Sequence, residues 1–194
     1  MTIRFEKVTT CYKPIILEWF NEPHVLEFFY GDGLQNTLNN LDLYCKGINH
    51  NGRYEFDDWI AFHNDEPFGF LITSVIEGPF DPKHDYNKWF VEGKKTMTLD
   101  LLIGSTVFLD KGFGSRMIES FITTQFSDVD YFIIDPEINN EKAIHVYQKV
   151  GFRKVAEFVP DFNPRQHIML RLTVAELTNM VDDSDSDLDI TSRN

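Results

Sequence analysis

The sequence predicts a mixed α/β domain in which a central, mostly antiparallel sheet is flanked by helices. Three observations carry that prediction. Apolar residues at helical spacing dominate the segments before residue 50. From Trp59 onward short strand-like runs take over, the first two separated by the turn His63–Pro67. The run Thr96–Gly104 then feeds a glycine-bearing loop, a helix and another strand, which makes one βα unit within an otherwise antiparallel order.

Taken in order, Ile3, Phe5 and Val8 mark a short first strand. Pro14 to about Phe20 reads as a helix, with proline in its first turn and Ile15, Ile16, Trp19 and Phe20 at helical spacing. Asn21-Glu22-Pro23 breaks it, and a second short helix runs through Val25, Leu26, Phe28 and Phe29. Gly31-Asp32-Gly33 is a turn signal, and a third helix spans Leu38 to about Ile48. Trp59–Phe62 and Phe68–Val75 form a hairpin. Glu77–Lys95 is a long polar loop carrying Trp89 and Phe90, and loops of that length in compact domains commonly serve function. After the strand at Thr96–Gly104, Gly112-Phe113-Gly114 opens a helix through Ile122. Val129–Ile134 is a strand, Asn140 caps a helix that Gly151 stops, and Phe152–Val159 and His167–Thr173 close the sheet. Residues 1–175 thus form a single domain. Residues 176–194 read as an acidic, disordered tail, with five Asp between 182 and 189.

A formal net charge of −13 disfavours nucleic acid and anionic membranes as partners, since both require a positive surface, and attracts cations instead. No apolar run approaches the length of a membrane span, and the N-terminus lacks a signal-peptide core, so the expected location is cytoplasmic. Two cysteines, Cys11 and Cys45, make neither a disulfide framework nor a metal site, and the six His show no metal-ligand spacing, so no metal is expected. Aromatic residues reach 14%, with 18 Phe and 3 Trp, enough to wall a pocket as well as fill a core.

Two constellations carry chemistry. In LLIG…DKGFGS, a strand (Leu101, Leu102, Ile103) leads into Leu109, Asp110, Lys111, Gly112, Phe113, Gly114 and Ser115 at a helix start. Such a loop can wrap backbone N–H groups around phosphate oxygens, with Lys111 adding a charge, although a lone GxG also occurs in ligand-free turns. The spacing is neither that of a dinucleotide fingerprint nor that of a P-loop. In DPEINNEKAIHVYQKVGF, Asn140, Ala143, Tyr147 and Gly151-Phe152 share a helix and its exit turn.

Together the two motifs resemble the acetyl-coenzyme A half of the GNAT superfamily. EWFNEPHVLEFFYGDG (18–33), WIAFHNDEPFGFLITS (59–74) and TLDLLIG (98–104) narrow the resemblance to bacterial aminoglycoside 6′-N-acetyltransferases, over roughly residues 3–172. The resemblance implies a GNAT fold, with acetyl-coenzyme A as co-substrate. It assigns residues 101–103 to the pantetheine arm, with a backbone donor near Leu102 for the oxyanion, and 109–115 to the pyrophosphate. Tyr147 becomes the acid that protonates the departing thiolate. Asp100 becomes the carboxylate that orients the amine and accepts its proton, and Asp135 holds the cationic acceptor beside walls from Phe28 and Trp89. Leu109 stands where the family usually has Gln or Arg, which leaves loop binding to the backbone and Lys111. Phe28-Phe29 replaces a paired Trp, keeping an apolar wall without indole donors.

The residue types suit the reaction. An ammonium cannot attack a thioester, so a carboxylate beside it must take a proton directly or through water. Without the resemblance, Asp100 also reads as a solvent-facing strand residue, Tyr147 as a core aromatic and Trp89 as a loop anchor. Three functions stand at this point: an aminoglycoside-type N-acetyltransferase, a siderophore-precursor or other amine acyltransferase, and a non-catalytic acyl-coenzyme A-binding or drug-binding module. The expected partner is a cationic small-molecule amine, and the expected assembly is a monomer or homodimer.

Overall fold

The computed structural model describes residues 2–78, 85–161 and 163–181. Pro79, Pro82 and the Asp-rich segment from 182 onward lie outside the described residues. The elements are β1 (Ile3–Lys7), α1 (Lys13–Trp19), α2 (Pro23–Leu26), α3 (Gly31–Tyr44), β2 (Phe56–His63), β3 (Glu66–Val75), β4 (Thr96–Ile103), α4 (Phe113–Gln125), β5 (Tyr131–Ile134), α5 (Glu141–Val150), β6 (Arg153–Phe158) and β7 (His167–Thr173). A helical stretch, α6, follows at 174–181. It lies mostly within the segment expected to be tail, and it is held because Leu177, with Val174, packs into the core under the sheet.

The strands form one seven-stranded sheet in the order β1-β2-β3-β4-β5-β7-β6. Only β4 and β5 pair in parallel; the other neighbours are antiparallel. The β2–β3 hairpin turns on Asn64 and Asp65, both at positive φ, the two-residue geometry whose twist matches the flanking strands. Gly31 to Gly33 is the beginning of α3 rather than a separate turn. Tyr30 is extended, Gly31 takes φ +58, and Asp32 sits in the first turn, where a negative charge complements the helix dipole.

The sheet divides the molecule into layers. On one face α4 and α5 pack Met117, Ile118, Phe121 and Ile122 against Leu99, Phe132 and Leu170. The opposite face carries two separate apolar patches. One lies under α1–α3 around Ile16, Leu41, Ile60 and Phe70. The other gathers Ile76, Ile133 and Met169 with Trp89, Phe90 and Phe158. Alternation along β4 puts Asp100 on the face of these two patches, while Leu101 and Ile103 face α4 and α5.

Candidate active site

β4 pairs with β5 only through Thr96–Thr98, opposite Tyr131–Ile133, and then continues to Ile103 against β3 alone. Beyond Thr98 the two parallel strands leave a gap. The register settles which backbone groups face it. Ile76 N–H donates to the Thr96 carbonyl at 2.9 Å, and Gly104 N–H donates to the Phe68 carbonyl at 2.8 Å. Both bonds belong to the alignment that pairs Leu102 with Phe70. Even-numbered residues of β4 therefore direct their N–H and C=O groups at β3, and Leu101 and Ile103 direct theirs at the gap. The Leu102 N–H is thus committed to β3, and the gap-facing donors nearest it are Leu101 and Ile103. The Ile103 carbonyl accepts from His24 Nε2 at 2.8 Å, a contact that ties α2 to β4 and that the sequence did not reveal.

The loop after β4 leads into an open helix start. Asp110 and Gly112 take φ of +56 and +75, and α4 begins with neither a side-chain cap nor an acidic residue in its first turn. The first N–H groups of α4, from Phe113 to Ser115, are thus left for an anion, with the positive end of the helix behind them. A Cβ at Gly114 would lie 3.3 Å from Val146 of α5, so glycine there lets the two helices approach closely. Lys111 is exposed and lies off the cleft wall. Arg116, which the sequence did not single out, donates from Nη2 to the Lys111 carbonyl at 3.3 Å and brings a guanidinium to the same loop.

α5 positions Tyr147. Asn140 Oδ1 accepts from Ala143 N–H at 3.2 Å, and Gly151 ends the helix at φ +110. The cap orients α5 so that Tyr147, on its buried face, reaches the cleft. The cleft itself has a volume of about 1880 Å³. Asp100, Tyr147 and Asp135 line it, as do Phe28, Leu101, Leu102, Ile103, Asn140, Ala143 and the loop residues from Leu109 to Ser115 other than Lys111. Phe28 and Phe29 both line the cleft, and Phe29 also packs on the α1–α3 core, edge-on to Phe20 with ring centroids 5.7 Å apart. Trp89 is not brought to the cleft. The 3₁₀ turn Asp85–Trp89 lays its indole on Phe158, centroids 5.8 Å apart, where it belongs to the second apolar patch.

The electrostatics follow from this placement. Solvent reaches Asp100 along the cleft, yet protein surrounds the carboxylate. That desolvation, reinforced by the charge of Asp135 and slightly opposed by His167, pushes its pKa up to about 7. Burial, with the charges of Asp100 and Asp135, raises the Tyr147 phenol above its ordinary value, so it stays protonated at neutral pH. A base poised near neutrality beside a retained acid suits proton transfer in both directions.

A second polar group closes the cleft beyond Asp135. Glu137, 4% exposed, accepts from the Tyr30 hydroxyl, from Asn163 Nδ2 at 3.0 Å and from Arg165 Nη1 at 3.1 Å. Burial would raise its pKa, but these three donors outweigh it and hold the carboxyl below its ordinary value. Arg165 also lies over the Tyr30 ring, 5.0 Å from its centroid. His167 Nδ1 meets the Asp135 carbonyl at 2.6 Å and Oδ2 at 3.1 Å. Sequence reading missed this network because its members come from α3's start, the turn after β5 and the loop before β7. Tyr30, Asp135 and Glu137 stood inside quoted motifs, but Asn163, Arg165 and His167 did not. Among the described residues no cluster of three His, Cys, Asp or Glu is arranged to hold a metal ion, and no helix is long and apolar enough to cross a membrane.

Comparison with known proteins agrees with this geometry. The family model described as an acetyltransferase (GNAT) domain matches residues 13–159. An aminoglycoside N(6′)-acetyltransferase type 1 of Klebsiella pneumoniae is 24% identical over 172 residues, covering 86% of this chain and 82% of that protein. The crystal structure of an aminoglycoside N(6′)-acetyltransferase from Legionella pneumophila superposes with a TM-score of 0.79 at 34% identity, over 92% of this chain and 95% of that one. An aminoglycoside acetyltransferase solved with coenzyme A and kanamycin shares the fold, with a TM-score of 0.68 at 20% identity over 89% and 95% of the two chains. With the strand gap, the uncapped α4 and the Asn140–Gly151 helix in place, the chain belongs to the GNAT acetyltransferase family and is an N-acetyltransferase.

Proposed function

We propose that this enzyme moves an acetyl group from acetyl-coenzyme A to a primary amine of a polycationic small molecule, and that its acceptor is the 6′-amine of an aminoglycoside. The observation that carries the reading is the meeting of Asp100, Asp135 and Tyr147 at the gap between β4 and β5. The Legionella and Klebsiella relatives, both named as aminoglycoside N(6′)-acetyltransferases, support the choice of acceptor.

The residues present fit the donor. The gap-facing N–H groups of Leu101 and Ile103 and the C=O of Leu101 suit an amide-bearing arm, and the uncapped N-terminus of α4 suits a pyrophosphate. Bound acetyl-coenzyme A supplies the thioester that the amine attacks. Asp135 and Asp100 hold the ammonium, and Asp100 takes its proton directly or through water. A backbone N–H of Leu101 or Ile103 steadies the negative charge that develops on the thioester oxygen. Tyr147, kept protonated, returns a proton to the departing sulfur. Holding amine and thioester in one cleft contributes much of the remaining acceleration.

The test is a thiol-release assay with acetyl-coenzyme A and a panel of acceptors: aminoglycosides with a 6′-amine, matched aminoglycosides with a 6′-hydroxyl, spermine and a lysine derivative. Turnover confined to the 6′-amine compounds is expected. Equal turnover of the 6′-hydroxyl compounds, or preference for spermine or lysine, would overturn the acceptor assignment.

A further inference from the structure

His167 opens β7 and is only 6% exposed. Its Nδ1 is within reach of two oxygens of Asp135, and its Nε2 lies 3.2 Å from Asn163 Nδ2. The Asn163 amide is oriented independently of the histidine. Its Oδ1 accepts from Arg165 N–H at 3.0 Å, while its Nδ2 donates to Glu137 Oε1 at 3.0 Å. Nδ2 also reaches the Tyr30 hydroxyl at 3.2 Å. The two oxygens facing His167 Nδ1 accept, so the proton of the neutral ring sits on Nδ1 and points at Asp135, leaving Nε2 to accept from the Asn163 amide.

We propose that His167 is a positioning residue: held in one tautomer by Asp135 and Asn163, it fixes the Asp135 carboxylate and sets how much negative charge that carboxylate presents to an acceptor ammonium. The inference rests on the acetyl-transfer reading of the cleft. Several groups face His167. Asp135 comes from the end of β5, Asp100 from β4, Glu137 (itself paired with Arg165) from the turn after β5, and Asn163 from the loop before β7. The Phe158 ring of β6 packs on it with centroids 6.1 Å apart, and Lys88 lies over that ring, 4.4 Å from its centroid. Burial works against protonation of His167, but the hydrogen bond and charge of Asp135 prevail and raise its pKa. A second proton must enter at Nε2, which requires the Asn163 amide to turn. The doubly protonated ring neutralises Asp135, and the singly protonated ring leaves its charge to the substrate. Acceptor binding and protonation of His167 thus oppose each other, and acceptor KM falls as pH rises through the His167 titration.

Two measurements test this. The first is an NMR titration of the His167 ring in the enzyme without substrates. In Asp135→Asn the midpoint should drop by about one pH unit, because a facing carboxylate is lost; an unchanged midpoint would overturn the proposal. This arm needs no acceptor, so it decides even if no aminoglycoside is acetylated and the acceptor assignment fails. The second arm is kinetic. His167→Asn places an amide N–H where Nδ1–H stood, and should keep acceptor KM within about threefold while flattening its pH dependence. His167→Leu should raise acceptor KM about tenfold and leave acetyl-coenzyme A KM unchanged. Equal behaviour of the two variants, or a parallel rise in both KM values, contradicts a positioning role.

Discussion

Asp58 and Asp100 are two carboxylates with pKa values near 7, for reasons that separate structure from function. Asp58, in β2, is 1% exposed, and neither of its oxygens has a hydrogen-bond partner. Burial raises it most, the neighbouring charge of Asp57 adds to that, and Lys7 pulls the other way. A raised carboxylate pKa means the folded chain keeps a proton that the unfolded chain has already released. Stability therefore falls as pH rises from about 4 to about 7 and stays lower above that window. Asp58→Asn removes this titration, so its Tm should exceed that of wild type, by more at pH 8 than at pH 5; an equal difference at both pH values would show that Asp58 is not the titrating group. Tyr147 is the other residue to which the proposed reaction gives a chemical role. Tyr147→Phe deletes one hydroxyl from an otherwise packed ring, so kcat should drop by roughly 10²-fold with little change in acetyl-coenzyme A affinity. Single-turnover kinetics at saturating donor would check this, and an unchanged rate would assign the proton to another donor.

Elements whose signals are local were legible in the sequence. Asn140 and Gly151 bracket α5 because a side-chain cap and a left-handed stop act within a turn, and β7 appears at the very residues its apolar run marks. The start of α3 was misplaced because Gly31 and Gly33, taken as a turn, sit inside a helix that packing against β2 supports. The gap between β4 and β5 was not foreseen in the sequence, where the family resemblance assigned only residues 101–103 to the pantetheine arm. It depends on β5 ending at Ile134, which no spacing in β4 encodes. Trp89 was placed by its loop, and its destination was set by Phe158, far along the chain. The caps remain testable by themselves. Asn140→Ala removes the acceptor for Ala143 N–H and should cost about 1 kcal/mol in denaturant unfolding. Gly112→Val places a β-branched residue at φ +75, so the loop must shift. Calorimetric titration should then show weakened acetyl-coenzyme A binding, whereas unchanged affinity would remove the loop from the donor site.

Across the whole molecule, a net charge of −13 surrounds a cleft whose floor holds Asp100 and Asp135. That field draws multiply charged amines inward, and salt screens it over about 10 Å at 0.1 M. Acceptor KM should therefore rise with ionic strength for a tetracationic aminoglycoside and barely change for a monoamine. The same charge gives the enzyme a conflict, since carboxylates that bind an ammonium also keep it protonated. In the proposed reaction Asp100 resolves the conflict by sitting near neutrality, where it can hold the cation and still accept its proton. The pH profile of kcat/KM for a 6′-amino aminoglycoside, in wild type and in Asp100→Asn, tests this most directly. Wild-type activity should climb with pH through a step near 7 as Asp100 ionises; Asp100→Asn should lose that step in kcat, keep only the fall in acceptor KM that His167 produces, and fall at least tenfold at pH 8. A variant that keeps both the step and the wild-type rate would contradict the account.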